Sequence, residues 1–374
     1  MRVAFRADAS IRIGNGHIMR NLTLATALRL RGIDTHFICR ELPGHLNDLI
    51  RLQGHTVHEI PGIEAPQASP SIEAAAKVDE KYQDWFGTTQ LYDAHACRPI
   101  LNALQPEWLI VDHYGLAELW EKAVMDDCGS IMVLDDLANR HHFCHLLLDQ
   151  TFERPPSDYF GKVPSDCTIL CGSSFALLRP EFAKLRQTSL LRRKSPQLKK
   201  LLVSMGGTDE HNITAEVMKG LCLSGLAEDC HVTIVMGNNA PWLEQVKVLA
   251  LSMPYSVEVC VGVSNMALLM CDSDVTIGAV GTTAWERCAL GLPAGVIILA
   301  ENQNFAAKIL GQIGAVHILE HHPSIQETTA IFINSLVKNP RKLRDLSRIA
   351  SVVTDGQGCE RVIAHLISGC APWQ

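Results

Sequence analysis

Several features that mark large functional classes are missing from this chain. It has no apolar run of membrane length and no signal-peptide pattern ahead of its first strand-like segment, so a cytoplasmic protein without membrane insertion is expected. Basic residues are not in excess: 33 Lys and Arg against 40 Asp and Glu leave a formal charge of −7. That balance argues against nucleic acid or an anionic membrane as a partner, so any phosphate ligand must be held by local amides and a few cations. The thirteen cysteines are odd in number, scattered in apolar surroundings such as those of Cys39, Cys222 and Cys288, and contain no C-x-x-C pair. They read as reduced thiols, not as a metal site. No D-x-D motif of the kind that chelates a diphosphate-bound cation stands out, and neither a metal nor a cofactor is expected. Low-complexity tracts, solenoid repeats and heptads are also lacking.

What is present is an α/β rhythm. At 374 residues and 47% hydrophobic content the chain suits two domains better than one continuous core. Short β-rich runs alternate with amphipathic helical segments at Val3 to Phe5, Thr35 to Cys39, Trp108 to Val111, Ile131 to Leu134 and Leu146 to Leu148. After a basic and polar stretch, the rhythm restarts at Leu201 to Ser204, Val232 to Met236, Val257 to Val261, Val275 to Ile277 and Gly295 to Leu299. The expected fold is α/β: two Rossmann-like doubly wound domains, 1–190 and 198–350, facing a cleft. A terminal helix over 351–374 is expected to return to the first domain. Pro61 to Asp84 reads as an excursion carrying one helix, Ser71 to Lys81.

In such sheets ligands bind at the carboxyl ends of the strands. Three turns are placed to line such a site. The first, Gly14-Asn15-Gly16-His17, opens a helix with Ile18, Leu22, Ala25 and Leu28 at helical spacing. The second is Ser204 to Asp209, with Gly206 and Gly207. The third runs from Gly278 to Thr283. There Gly278 and Gly281 would let the backbone approach a ligand, and the amides of Thr282, Thr283 and Ala284 would face an anion. Glu286, on the first turn of the helix that follows, could accept hydrogen bonds from a ribose diol; an ordinary strand-to-helix crossover is the alternative. His17 is the candidate for the chemistry. The positive end of its helix disfavours imidazolium, and a neutral imidazole can take a proton from water. A loop histidine that bonds its own turn is the competing reading.

In combination, RADASIRIGNGHIMRNLTLA, VDHYGL, LDDLANRHH, ALLRPEF, SMGGTDEHNIT, VMGNNAP and IGAVGTTAWERCALGLP followed by LAENQ make the chain resemble a known family. These are the UDP-2,4-diacetamido-2,4,6-trideoxy-β-L-altrose hydrolases of pseudaminic acid biosynthesis, which have the GT-B glycosyltransferase-like fold. The resemblance implies His17 as catalytic base, with Asn302 beside the sugar or its attacking water. It implies Glu286 on the ribose, Gly281, Thr282 and Thr283 on the diphosphate, and backbone near Val263 to Met266 on uracil. Tyr114, Asp8, Arg12, Gly16, Gly206, Gly207 and Gln303 are the remaining expected contacts. Asp112, Asp135 and Asp136 could be contacts or helix caps. The implied reaction is addition of water at the anomeric carbon with inversion and release of UDP. Rival readings are a GT-B glycosyltransferase with a lipid-linked acceptor, a UDP-sugar 2-epimerase and a UDP-sugar-binding scaffold. A monomer is expected.

Overall fold

The computed structural model describes residues 1–62, 88–238 and 240–368. The expected helix Ser71 to Lys81 lies outside them. The chain divides into two compact units, Met1–Leu177 with the residues from Gly358 onward, and Leu178–Gln357.

The first unit is built on one parallel sheet. Its strands are β1 (Arg2–Ala7), β2 (Asp34–Arg40), β3 (Thr56–Ile60), β4 (Trp108–Asp112), β5 (Ser130–Leu134), β6 (Leu146–Asp149) and β7 (Thr168–Cys171), in the order β3-β2-β1-β4-β5-β6-β7. Alternate side chains leave opposite faces of the sheet. Val3, Phe5, Phe37 and Ile110 pack with Ile18, Leu22 and Leu28 of helix α1 (Gly16–Arg29) on one face. Ala4, Ile38, Leu109 and Val111 pack with Ala94, Cys97 and Leu101 of α2 (Gln90–Leu104) on the other. The order reverses between β1 and β4, so a crevice opens there at the carboxyl ends.

The second unit repeats the plan. Strands β8 (Lys200–Ser204), β9 (His231–Met236), β10 (Ser256–Val261), β11 (Val275–Ala279), β12 (Ala294–Ile297) and β13 (His317–Ile318) form a parallel sheet ordered β10-β9-β8-β11-β12-β13. Its switch point lies between β8 and β11. Helices that matter below are α3 (Pro180–Arg192), α4 (Ile213–Cys222), α5 (Met266–Asp272), α6 (Thr282–Ala289) and α7 (Arg341–Val353).

The sequence predicts a boundary between residues 190 and 198. The contacts divide the chain at Leu177, because α3 packs within the second unit. There Ser189 Oγ donates to the Leu290 carbonyl at 2.7 Å and Arg192 pairs with Asp274 at 2.6 Å. The final helix, α8 (Gly358–Ser368), begins after a left-handed Gly356 (φ +81°) and packs Val362, Ile363 and Leu366 into the first unit's core. Trp108 Nε1 donates to the Leu366 carbonyl at 3.0 Å. Among the described residues, no helix is long and apolar enough to cross a membrane.

Candidate active site

In the first unit the site grows from the switch point. Asp112 is the last residue of β4, in register with Ala7 at the end of β1, whose following loop leads into α1. That loop is closed by Gly14 (φ +79°), whose amide donates to the Ser10 carbonyl at 2.8 Å. On α1, His17, Arg20 and Asn21 have the i, i+3, i+4 spacing that puts them on one face, and all three turn to Asp112. His17 Nδ1 lies 2.6 Å from Asp112 Oδ1. Arg20 forks onto the same carboxylate, Nε to Oδ2 at 2.6 Å and Nη2 to Oδ1 at 2.5 Å, and Asn21 Nδ2 donates to Oδ2 at 2.6 Å. Burial alone would push the Asp112 carboxyl up; the Arg20 guanidinium and His17 overrule it and hold it well below the usual carboxylate range.

An ionised carboxylate only accepts, so the contact with Asp112 puts the proton of a neutral His17 on Nδ1 and leaves Nε2 with a free lone pair. Arg20 also approaches Nδ1, at 3.3 Å, but the shorter carboxylate contact decides the tautomer. Tyr114 sets its ring edge-on to His17, centroids 4.6 Å apart, while its hydroxyl donates to Asp136 Oδ1 at 2.6 Å. Asp136 in turn pairs with Arg20 at 3.0 Å. His17 therefore sits among three charged side chains, Asp112, Arg20 and Asp136. Asp112 and Asp136 cap no helix, and Asp135 closes a turn onto the Ala138 amide and pairs with Arg140.

Asp8 is placed differently from the expectation. It is fully buried, both oxygens engaged by Arg6 and one also by the Arg40 amide, in a sealed ionic cluster with Asp93. Its carboxylate is structural. Arg12 is exposed on the loop before α1, and Gly16, the first residue of α1, is exposed as well, with nothing within 4 Å of where a side chain would go.

In the second unit, Gly281 caps α6 in an extended conformation with no side chain closing the helix start. The Thr282 and Thr283 amides thus head the helix, whereas the Ala284 amide is taken by the Gly281 carbonyl at 2.9 Å. Glu286 falls in the second turn of α6, not the first, because the helix begins only at Thr282. Its side chain is 15% exposed, and Arg179 Nη2 approaches it at 3.7 Å. Burial raises its pKa against the pull of Arg179. Arg179 Nη1 also donates to the Ser264 carbonyl at 3.3 Å, so Glu286 and the Val263 to Met266 segment gather about one guanidinium.

Gly278 is glycine for an internal reason. A Cβ there would stand 2.4 Å from the Ser204 carbonyl of β8 and 2.8 Å from Arg287 Nη1. Gly281 faces open space. In the second turn, Gly206 is left-handed (φ +95°), and the Gly207 carbonyl stands where a side chain at Gly237 would go. The start of α4 is already closed by Asp209, whose carboxylate accepts from the Ile213 and Thr214 amides at 2.8 and 3.0 Å, so that helix end is not open to an anion. Asn302 is exposed in a single 3-10 turn (Glu301–Gln303) beyond β12, whose end pairs with that of β11. Gln303 closes this turn by accepting from the Leu299 amide at 2.9 Å. The chain does contain one D-x-D, Asp272-Ser273-Asp274, but at the amino end of β11, where Asp274 accepts from the Lys199 and Lys200 amides.

Sequence reasoning missed Asp112 as the partner of His17, the Arg20 fork, and Arg179 beside Glu286 and Ser264. The signal for the first was an aspartate closing the apolar run WLIVD at a strand end.

No protein-family model matches the chain. It is 29% identical over 317 residues, 84% of this chain and 97% of the relative, to the UDP-2,4-diacetamido-2,4,6-trideoxy-beta-L-altropyranose hydrolase of Campylobacter jejuni. Its fold is similar to that of MurG from Acinetobacter baumannii, with a TM-score of 0.68 at 15% identity over 98% of this chain and 99% of the other. A UDP-GlcNAc 2-epimerase from Neisseria meningitidis, bound to UDP-GlcNAc, is similar with a TM-score of 0.64 at 14% identity over 98% and 100%. The resemblance to the hydrolase and the GT-B-type α/β fold are thereby borne out.

Proposed function

We propose that this protein is a UDP-sugar hydrolase that cleaves UDP-2,4-diacetamido-2,4,6-trideoxy-β-L-altropyranose into UDP and the free sugar, with inversion at the anomeric carbon. It would act in the cytoplasm as a monomer, in a route to pseudaminic acid. The similarity to the Campylobacter jejuni hydrolase over nearly the whole of both chains supports the substrate class. The observation that carries the chemistry is the His17–Asp112 contact at 2.6 Å, which leaves Nε2 of His17 as the acceptor.

In this reading His17 Nε2 takes a proton from water as the water oxygen bonds to the anomeric carbon. The bond from that carbon to the diphosphate oxygen breaks, and UDP leaves with the electron pair. Asp112 holds the ring and stabilises the imidazolium that forms; the proton then passes to solvent. Asn302 orients the water or the sugar. Gly281 and the Thr282 and Thr283 amides hold the diphosphate, Glu286 takes the ribose diol, and backbone of Val263 to Met266 reads uracil. UDP is a good leaving group, so amides at a helix start supply what a strong general acid would otherwise provide. Tyr114 keeps the His17 ring in place.

Proton NMR of the UDP-sugar with purified protein tests this directly. Free UDP with an inverted reducing sugar is the expected result. A new UDP-sugar epimer would establish the 2-epimerase instead, and an untouched substrate that turns over only with an added acceptor would establish a transferase.

A further inference from the structure

Arg287 has no evident reason to be where it is. It lies on α6, 2% exposed, and its side chain runs back along the helix to donate Nη2 to the Ala279 carbonyl at 2.7 Å, a residue that precedes the helix. Its Nε has no hydrogen-bond partner, and among the described residues no carboxylate stands within 4 Å of the guanidinium. Buried charges are ordinarily paired. Another buried arginine of the same unit makes the difference plain. Arg193 also has an unpartnered Nε, yet its two terminal nitrogens donate to the carbonyls of Met270, Cys271 and Ser273 at 2.9 to 3.3 Å, the negative end of α5. Arg287 instead brings its charge toward the positive end of its own helix, with one carbonyl to meet it.

It is closely packed against β11. A Cβ at Gly278 would lie 2.4 Å from the Ser204 carbonyl and 2.8 Å from Nη1, so the glycine leaves room for both. Burial draws the guanidinium down to about 10, which leaves it charged at neutral pH. The turn it supports, Ala279 to Gly281, is the one that opens α6 with two free amides and no acidic residue in the first turn.

We propose that Arg287 is the buried counter-charge for the diphosphate at the start of α6, a positioning residue that makes this turn selective for a nucleoside diphosphate over the uncharged nucleoside. This rests on the reading of that turn as the UDP site. Arg287 fixes the Ala279 carbonyl from beneath and adds a positive potential that water screens little. The missing counter-ion is the ligand.

Calorimetric titration of the full-length protein with UDP and with uridine, for wild type, Arg287→Met and Arg287→Lys, is the test. Arg287→Met is expected to weaken UDP by roughly tenfold or more while leaving uridine affinity unchanged, and Arg287→Lys to restore much of the loss. Equal weakening of both ligands would make Arg287 only a prop for the turn and overturn the proposal, as would unchanged UDP affinity. Should Arg287→Met not fold, thermal melting of the wild type with inorganic pyrophosphate at constant ionic strength replaces it: a raised Tm is expected, and no shift overturns the proposal. A wild type that binds no UDP overturns instead the nucleotide reading on which it rests.

Discussion

His17 Nδ1 and Asp112 Oδ1 meet at 2.6 Å although 95 positions separate them in the chain. The contact exists because β4 lies beside β1 in the sheet, so that the end of one strand faces the helix that follows the other. It sets the tautomer of His17, and the Arg20 fork and Asn21 hold the carboxylate in place.

Asp112→Asn should therefore lower kcat by about 10³- to 10⁴-fold, through loss of both the tautomer and the imidazolium's partner. UDP affinity should be unchanged, because the nucleotide contacts proposed above lie on α6 and the Val263 to Met266 segment. Steady-state kinetics alongside calorimetry checks both halves; a kcat within a factor of ten of wild type would remove Asp112 from the mechanism.

The two glycines at the end of β11 should separate cleanly. Gly278→Ala drives a Cβ to 2.4 Å from the Ser204 carbonyl, whereas at Gly281, in extended backbone (φ −152°), it meets nothing within 4 Å. Gly278→Ala should cost about 1–3 kcal/mol of stability. Gly281→Ala should melt like wild type yet bind UDP more weakly. Urea unfolding and UDP titration of each variant give the answer.

With Glu286 on the ribose as proposed, Glu286→Gln should weaken UDP by about tenfold, since a charged acceptor becomes a neutral one. The same variant should lose most of the preference for UDP over 2′-deoxy-UDP. Titration of both nucleotides would show it; undiminished discrimination would place the ribose elsewhere.

Acid should unfold the first unit steeply. Burial opposes ionisation of Asp93, but Arg6 and Arg40 prevail and hold it far below the usual carboxylate range, as Arg20 and His17 hold Asp112. Groups depressed in the folded state contribute stability that is present above their unfolded pKa of about 3.9 and is lost as pH falls below it. Stability should be flat in this respect from neutral pH to near 5 and fall below about 4. Asp93→Asn should be destabilised at pH 7 by about 3–5 kcal/mol and show a shallower acid slope. Urea unfolding across the pH range reads both.

The strands with unbroken apolar runs were legible in the sequence, and so were the two-sheet plan and the three glycine turns. The strands that escaped, β3, β7 and β13, all lie at sheet edges. There Thr56, His58 and Glu59 break the apolar run of one, Thr168 opens another, and the third is only two residues long. His17 stood out because it follows a glycine loop. Asp112 did not, because a pairing between two strand ends depends on sheet order, which local pattern does not carry. Gly278 was misread for the same reason: what crowds it is the carbonyl of a neighbouring strand and a side chain returning from the next helix. Asp8 looked like a ligand at a strand end, but Arg6, two residues earlier on β1, claims it.

The most direct test is single-turnover cleavage of the UDP-sugar by His17→Ala beside wild type, with UDP affinity measured on both. The account predicts a fall of about 10²- to 10⁴-fold in the rate of UDP release with no change in UDP binding. Cleavage at the wild-type rate in the variant would contradict it, and water activation would have to be sought in another residue.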